Sequence, residues 1–344
     1  MIRFECDYAE GAHPLILERL SETNFEQTPG YGRDEYCERA AMHIKRLCGD
    51  PSAHVHFFTG GTIANLTVIS SVLRPYEGVI SADTGHINVH ETGAIEATGH
   101  KVLTIPSADG KITAAAVSAM FLEHIENPEP EHIVFPGMVY ISHPTENGTV
   151  YTKKELEDLS ALCRKHGLPL FMDGARLGYG LAAPGNDLEL SDIARLCDVF
   201  YIGATKVGAL FGEALVITND SLKKNFRYYI KQRGALLAKG RLLGLQFDVL
   251  FENGLYMEIA RNAIDCAMLI KEACKKKGFS FLYNSPTNQQ FPILPNKYAE
   301  ALAEKYAFHK WQKVDGGHTA VRFCTSWATT KENTEKLVKD IEGL

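Results

Sequence analysis

LPLFMDGARLGYGLAAPGNDLELSDIARLCDVFYIGATK, residues Leu168–Lys206, decides how this chain is read. Two short apolar runs within it, Leu168–Met172 and Val199–Gly203, have the length and composition of buried strands. Each is followed by a charge that an apolar core would not accept unpaired, Asp173 after the first and Lys206 after the second. The helical pattern between them reads as a crossover connection, so the strands are expected to be parallel neighbours. Both charges then emerge at the carboxyl edge of one sheet, where open α/β sheets bind ligands. Taken singly, Asp173 reads as a cap for the next helical turn and Lys206 as a solvated surface lysine. The setting of Lys206, GATKVGALFGEAL (Gly203–Leu215), changes that reading, because it places one amine among glycines and apolar residues. Desolvation there lowers an amine toward the nucleophilic range that a Schiff-base lysine needs.

Outward from this stretch the same alternation recurs. Strands are expected at His54–Phe58, Gly78–Ala82, Lys101–Ile105 and Met138–Ser142 upstream, and at Glu213–Ile217 downstream. Helices are expected at Ile63–Leu73, His86–Thr98, Ile112–Glu123 and from Thr152, where Thr152 and Glu155 have capping-box spacing and Gly167 supplies the stop. A helix at His13–Ser21 and one capped by Asp34 precede them. About seven strands separated by helices predict an α/β fold with a mostly parallel, doubly wound sheet. Beyond residue 220 the pattern changes to long helices, Ser221–Phe251 and Leu255–Lys277. The tail, with FSFLY (Phe279–Tyr283), FPILP (Phe291–Pro295), AFHKW (Ala307–Trp311) and TAVRFCTSW (Thr319–Trp327), reads as a small α+β domain. The expected division is an N-terminal arm and large domain over 1–254 and a small C-terminal domain over 255–344.

Composition narrows the function classes. A hydrophobic share of 45%, a charged share of 23% and a net charge of −6 suit a soluble globular protein and give nucleic acid no basic surface. The N-terminus carries Glu5 and no long apolar run, so neither a signal peptide nor a membrane anchor is expected there. Eight cysteines without a CxxC pair fit the cytoplasm. The expected partner is a small molecule.

Two further strand ends carry chemistry. In TGGTIANL (Thr59–Leu66), Gly60 and Gly61 let the backbone approach a ligand, Thr62 offers a hydroxyl, and the next helix presents its free N–H groups. That is an anion seat, most simply for phosphate. In ADTGHINVHETGA (Ala82–Ala94), His86 stands at a helix start, where an imidazole can stack on a planar ring or accept a proton. His90 and Glu91 follow, but the glutamate is displaced from an HExxH arrangement and no third ligand is evident, so no metal is expected. An anion seat, a ring-stacking histidine, Asp173 and Lys206 share one economical explanation, pyridoxal 5'-phosphate. Lys206 would take the cofactor aldehyde as a Schiff base, and Asp173 would pair with the pyridine nitrogen.

MDGAR (Met172–Arg176), Lys206, GGTIAN (Gly60–Asn65), GHINVHETGAIEATG (Gly85–Gly99) and VRFCTSW (Val321–Trp327) together resemble the low-specificity threonine aldolases, along nearly the whole chain. These belong to the fold-type I pyridoxal phosphate enzymes, which include the β-eliminating lyases. The resemblance implies that Lys206 is the Schiff-base lysine, Asp173 the pyridine partner and His86 the stacking residue and a proton-transfer group. Gly60, Gly61 and Thr62 would hold phosphate, with Thr205 in addition. Arg176 and Arg322 would be the cations near the cofactor oxygen and the substrate carboxylate, a task that suits the guanidinium fork.

Where the family has an RSDT-like segment that helps bind the carboxylate, this chain has Glu5-Cys6-Asp7-Tyr8, which puts the weaker donor Cys6 there. Where the family has a GGGxRQ-like stretch holding phosphate across a subunit boundary, this chain has KQRGALLAKG (Lys231–Gly240), with Arg233 or Lys239 as the substitute. Tyr31, Gly32 and Asp34 keep a YGxD pattern of the active-site loop. The implied reaction is retro-aldol cleavage of L-threonine, L-allo-threonine or related β-hydroxy amino acids to glycine and an aldehyde. β-Elimination or transamination on the same cofactor is the alternative, and an inactive binding protein on the same fold the third reading. The resemblance also implies a homo-oligomer, dimer or tetramer, with shared sites.

Overall fold

The computed structural model describes residues 1–344. Its centre is a seven-stranded sheet, with β1 His54–Phe58, β2 Glu77–Ala82, β3 Val102–Ile105, β4 Phe135–Ser142, β5 Leu170–Asp173, β6 Val199–Gly203 and β7 Glu213–Ile217. The spatial order is β1-β7-β6-β5-β4-β2-β3. β5 and β6 are parallel neighbours, with Phe171 opposite Val199 and Met172 opposite Phe200, as the opening stretch predicts. The β2–β3, β2–β4 and β4–β5 pairs are parallel too. Only β7 runs against both its neighbours, β1 and β6. Its first residue, Glu213, therefore stands at the edge where the other strands end.

Strand periodicity explains why these runs read as continuously apolar. Leu170 and Met172 of β5, with Phe200 and Ile202 of β6, join one core cluster. Phe171, Val199 and Tyr201 join a second, together with Met138 and Tyr140 of β4. Both faces are buried, so both phases of the period-2 alternation are apolar. The alternation also sets Asp173 on the side of Phe171, the side where Tyr140 and Tyr201 lie.

A third cluster lies in the C-terminal region, with Phe4, Leu294, Val321, Phe323, Leu337 and Ile341. Its small antiparallel sheet joins Ile293–Pro295, His318–Cys324 and His309–Lys313. The chain start belongs here as well, since Ile2–Arg3 pairs in parallel with Tyr306–Ala307. The 22-residue helix Leu255–Lys276 links the clusters, giving Ile259, Ala263 and Ile264 to the first and Ile270 and Cys274 to the third. No helix is long and apolar enough to cross a membrane.

Some elements differ from their sequence pattern. The expected helix His86–Thr98 is a short helix, His86–Val89, and a 3-10 turn, Glu96–Thr98. Thr92 and Gly93 between them have φ of 53° and 71°, left-handed values that a right-handed helix cannot contain. The expected helix Ser221–Phe251 is three pieces, Asp220–Lys223, Phe226–Gln232 and Arg241–Glu252, interrupted at left-handed Asn225 and Gly234. FSFLY forms a single bridge, Phe281 with Pro292, rather than a strand. The helix Lys153–His166 has both halves of its capping box, Thr152 and Glu155, and ends at left-handed Gly167.

Candidate active site

The carboxyl edge of the sheet opens into a cavity of about 170 Å³. Of the sequence-predicted residues, Gly60, Gly61, Thr62, His86, Asp173, Arg176, Thr205 and Lys206 all line it. They come from the ends of β1, β2, β5 and β6. Glu146, from the loop after β4, and Glu213, from the start of β7, complete the charged lining.

Asp173 is buried, and its carboxylate is heavily hydrogen-bonded. The Tyr140 hydroxyl donates to its Oδ2 at 2.5 Å, the Ala175 amide to its Oδ1 at 2.9 Å, and Asn65 Nδ2 to Oδ2 at 3.3 Å. Burial pushes the acid up, but the His86 charge, the Tyr140 and Tyr201 hydroxyls and the Ala175 N–H outweigh it. The group is held below the usual carboxylate range and stays negative at neutral pH.

Lys206 follows the buried Ala204 in the β6–β7 connection. Burial lowers its amine, and the Arg176 charge lowers it further, against the support of Asp7, Asp173 and Glu213. Glu213 moves the other way. Burial pushes its carboxyl up to about 8, opposed by the Thr205 hydroxyl and by Lys206. Thr205 Oγ1 donates to Glu213 Oε1 at 2.9 Å, and Glu213 Oε2 is enclosed with no partner.

His86 is tied down at both ends. Its Nδ1 lies 2.8 Å from Glu91 Oε1, and its backbone N–H donates to Glu146 Oε1 at 3.1 Å. Asn65 Nδ2 also donates to Glu91 Oε1, at 2.7 Å, so His86, Glu91, Asn65 and Asp173 form one chain of contacts. Burial lowers the imidazole, but the bond to Glu91 and the charges of Asp173, Glu146 and Glu91 prevail and raise it. His86, His90 and Glu91 form no three-ligand metal group.

Arg176 reaches the cavity with its fork already engaged. Nε donates to Asp7 Oδ2 at 2.6 Å and Nη2 to Asp7 Oδ1 at 3.0 Å, and Asn288 Nδ2 donates to Asp7 Oδ2 at 2.9 Å. Burial pushes Asp7 up, but Arg176 and then Lys206 bring it below its usual range. Cys6, Tyr31 and Arg322 do not line the cavity. Arg322 donates to the Glu5 carbonyl (2.8 Å) and Gln289 Oε1 (3.1 Å) and lies 5.2 Å over the Trp311 ring. Its Nε is buried without a partner. Tyr31 lines a separate cavity of about 190 Å³, with Arg227, Leu237 and Gly240.

Sequence reasoning missed Asp7, Asn65, Glu91, Tyr140, Glu146, Tyr201 and Glu213. Asn65 and Glu91 lie inside quoted motifs, and Asp7 in the quoted Glu5–Tyr8 segment. Tyr140 and Tyr201 look like core residues, and only their hydroxyl tips could have marked them. Glu213 opens an apolar strand, so its placement depends on strand direction.

These residues fit pyridoxal phosphate. The helix Gly61–Val72 starts at Gly60 without a side-chain cap, leaving its first-turn N–H groups open to an anion beside Thr62 and Thr205. A Cβ on Gly61 would come 2.9 Å from the Tyr201 hydroxyl, so the turn needs glycine there. The buried negative Asp173 suits a protonated ring nitrogen, and the lowered Lys206 amine suits an aldehyde carbon.

Comparison with known proteins agrees. The beta-eliminating lyase family profile matches residues 11–294. The low specificity L-threonine aldolase of a Pseudomonas species is 32% identical over 99% of this chain and 97% of its own. The solved structure of Leishmania major threonine aldolase superposes with a TM-score of 0.97 at 48% identity, covering 100% of this chain and 99% of that one. An aspartate aminotransferase variant from Thermus thermophilus, 16% identical, shares the fold with a TM-score of 0.73 over 100% of this chain and 91% of its own. The chain belongs to the beta-eliminating lyase family and, within it, to the threonine aldolases, pyridoxal phosphate-dependent lyases of fold type I.

Proposed function

We propose that this enzyme cleaves L-threonine, L-allo-threonine or a related β-hydroxy amino acid to glycine and an aldehyde. The observation that carries the reading is one cavity holding a lowered lysine amine, a buried charged aspartate, a histidine and an open helix start. Bound there, pyridoxal phosphate supplies an electrophilic carbon and a ring that accepts the electron pair released when the Cα–Cβ bond breaks. Lys206 is the amine that holds the cofactor, since burial and Arg176 favour its neutral, nucleophilic form. Asp173 would keep a proton on the ring nitrogen. Gly60, Gly61, Thr62 and Thr205 would bind the phosphate, and His86 would be the ring-stacking residue. The unpartnered Arg322 Nε supports a carboxylate role for that residue, and Arg176, fixed by Asp7, lines the cavity. Cys6 and Tyr31 are proposed substrate contacts on family grounds.

The test is product analysis with cofactor and L-threonine supplied. Glycine and acetaldehyde in equal amounts are expected; ammonia with a keto acid would instead mean β-elimination or transamination. Lys206→Ala should abolish turnover and the borohydride-trapped cofactor adduct, and a variant that keeps wild-type turnover would refute the lysine's role.

The division into 1–254 and 255–344 is proposed at Gly254, the left-handed residue that starts the linking helix. We also propose a cytoplasmic homo-oligomer, supported by eight unpaired cysteines and by the absence of Lys231–Gly240 from the lining of this chain's own cavity. Arg233, whose Nε is buried without a partner, or Lys239 would serve a neighbouring subunit's phosphate.

A further inference from the structure

Glu146 lines the cavity and has no part in the roles given above. It sits in the loop after β4, against the start of the His86 helix. Its Oε1 accepts two hydrogen bonds, from the His86 backbone N–H (3.1 Å) and from the Ser142 hydroxyl (2.7 Å). Its Oε2 has no donor. A carboxylate loaded on one oxygen keeps its acceptor capacity on the other.

The other titratable groups at this cavity are less suited to take a proton. The His86 ring is bonded through Nδ1 to Glu91 and faces three carboxylates that favour its protonated form, in which it can accept nothing. Asp173 already receives Tyr140, Asn65 and the Ala175 amide. Glu213 receives Thr205 on Oε1 and has a free Oε2 as well, but burial pushes its carboxyl up to about 8, which favours its protonated form near neutral pH.

Resting on the aldolase reading, we propose that Glu146 is the general base that takes the β-hydroxyl proton of the substrate, with His86 held beside it by Glu91. The O–H bond breaks and its proton passes to the Glu146 carboxylate. The freed electron pair forms the second C–O bond of the departing aldehyde, and the Cα–Cβ pair stays on the Cα side. A proton returns to Cα as glycine forms, so threonine gives acetaldehyde and glycine with no net proton change. Burial and the neighbouring Asp173 raise the Glu146 carboxyl, against Ser142 and His86. A more basic carboxylate is the better acceptor near neutral pH.

Glu146→Gln tests this, because the amide oxygen still accepts from His86 and Ser142 but cannot take a proton. Four quantities would be measured: apoprotein melting temperature, cofactor affinity from its absorbance band, glycine Cα–H exchange into deuterated water, and kcat for L-threonine. Glycine exchange needs the lysine, the aspartate and the cofactor but no hydroxyl base. The first three should stay near wild type, the affinity and exchange within about threefold. Threonine cleavage should fall on the order of 10²–10⁴-fold. Cleavage within about threefold of wild type would place the base elsewhere and overturn the assignment. Loss of stability, cofactor or glycine exchange along with cleavage would make Glu146 a structural residue and overturn it equally. A wild-type enzyme that exchanges glycine protons yet yields no aldehyde from any β-hydroxy amino acid would defeat the aldolase reading itself.

Discussion

At the scale of single residues the site is a set of opposed charges in a small volume. The proposed pairing of Asp173 with a ring nitrogen needs a negative carboxylate, and the His86 charge with the Tyr140, Tyr201 and Ala175 donors keeps it so. Asp173→Asn should therefore lower kcat on the order of 10²–10³-fold while the protein still folds, read from steady-state cleavage and a thermal melt. Glu213 and Lys206 are displaced in opposite directions by the same burial, since desolvation favours the neutral form of each. Glu213→Gln removes a carboxylate that supports the lysine's charge. The pH midpoint for cofactor capture by the apoprotein should then move down, and an unmoved midpoint would show that the two groups do not share charge. Glu213 was not legible in the sequence, because the charge that opens EALVI has two possible edges until the strand's direction is known.

At the scale of elements, the close approach of β5 and β6 fixes the separation of Asp173 and Lys206. Gly203 lies so near the β5 turn that a Cβ there would meet the Ala175 carbonyl oxygen at 2.3 Å, and backbone on both sides leaves no flexible atom to give way. Gly203→Ala should lower stability by about 1–3 kcal/mol and weaken cofactor binding together, measured by denaturant titration and absorbance. A variant as stable as wild type would show that the two strand ends can separate without cost. The capping box offers a control remote from the chemistry: Thr152→Ala should cost about 1 kcal/mol and leave kcat unchanged. Helix starts and stops of this kind were readable because cap chemistry is local. The break at Thr92 was not, because a threonine gives no sign that its backbone will turn left-handed.

At the scale of the whole molecule, the Asp7–Arg176–Asn288 cluster ties the N-terminal arm to the end of β5 and to the C-terminal region. Asp7→Asn leaves a buried guanidinium unpaired and should cost on the order of 3–5 kcal/mol at neutral pH. Because the folded-state acid is depressed, its contribution is present above the ordinary carboxylate range and is lost as pH falls through the lower folded value. The variant's stability should accordingly lose that part of the acid slope, in chemical denaturation repeated across pH. If sites are shared between subunits, mixing Lys206→Ala with Arg233→Ala should restore activity to about a quarter of the wild-type sites in a randomly assorted dimer. No recovery from a light-scattering monomer would end the shared-site proposal.

The sequence by itself determined the sheet, the order of strand ends along the chain and most of the residues that line the cavity, because hydrophobic period, caps and glycine turns are local and Asp173 and Lys206 are marked by their apolar surroundings. It also placed Arg176 near the site without showing that Asp7, 169 positions away in sequence, takes up its fork. Only the tertiary structure decided which carboxylates join the cavity and which groups remain able to accept a proton. Glu146 and Glu213 owe their places to a loop after β4 and to one reversed strand, and the loading of each oxygen follows from neighbours brought together by folding. Burial and hydrogen-bond partners set the chemistry of an acid or an amine, and both are properties of contacts between distant segments rather than of local sequence.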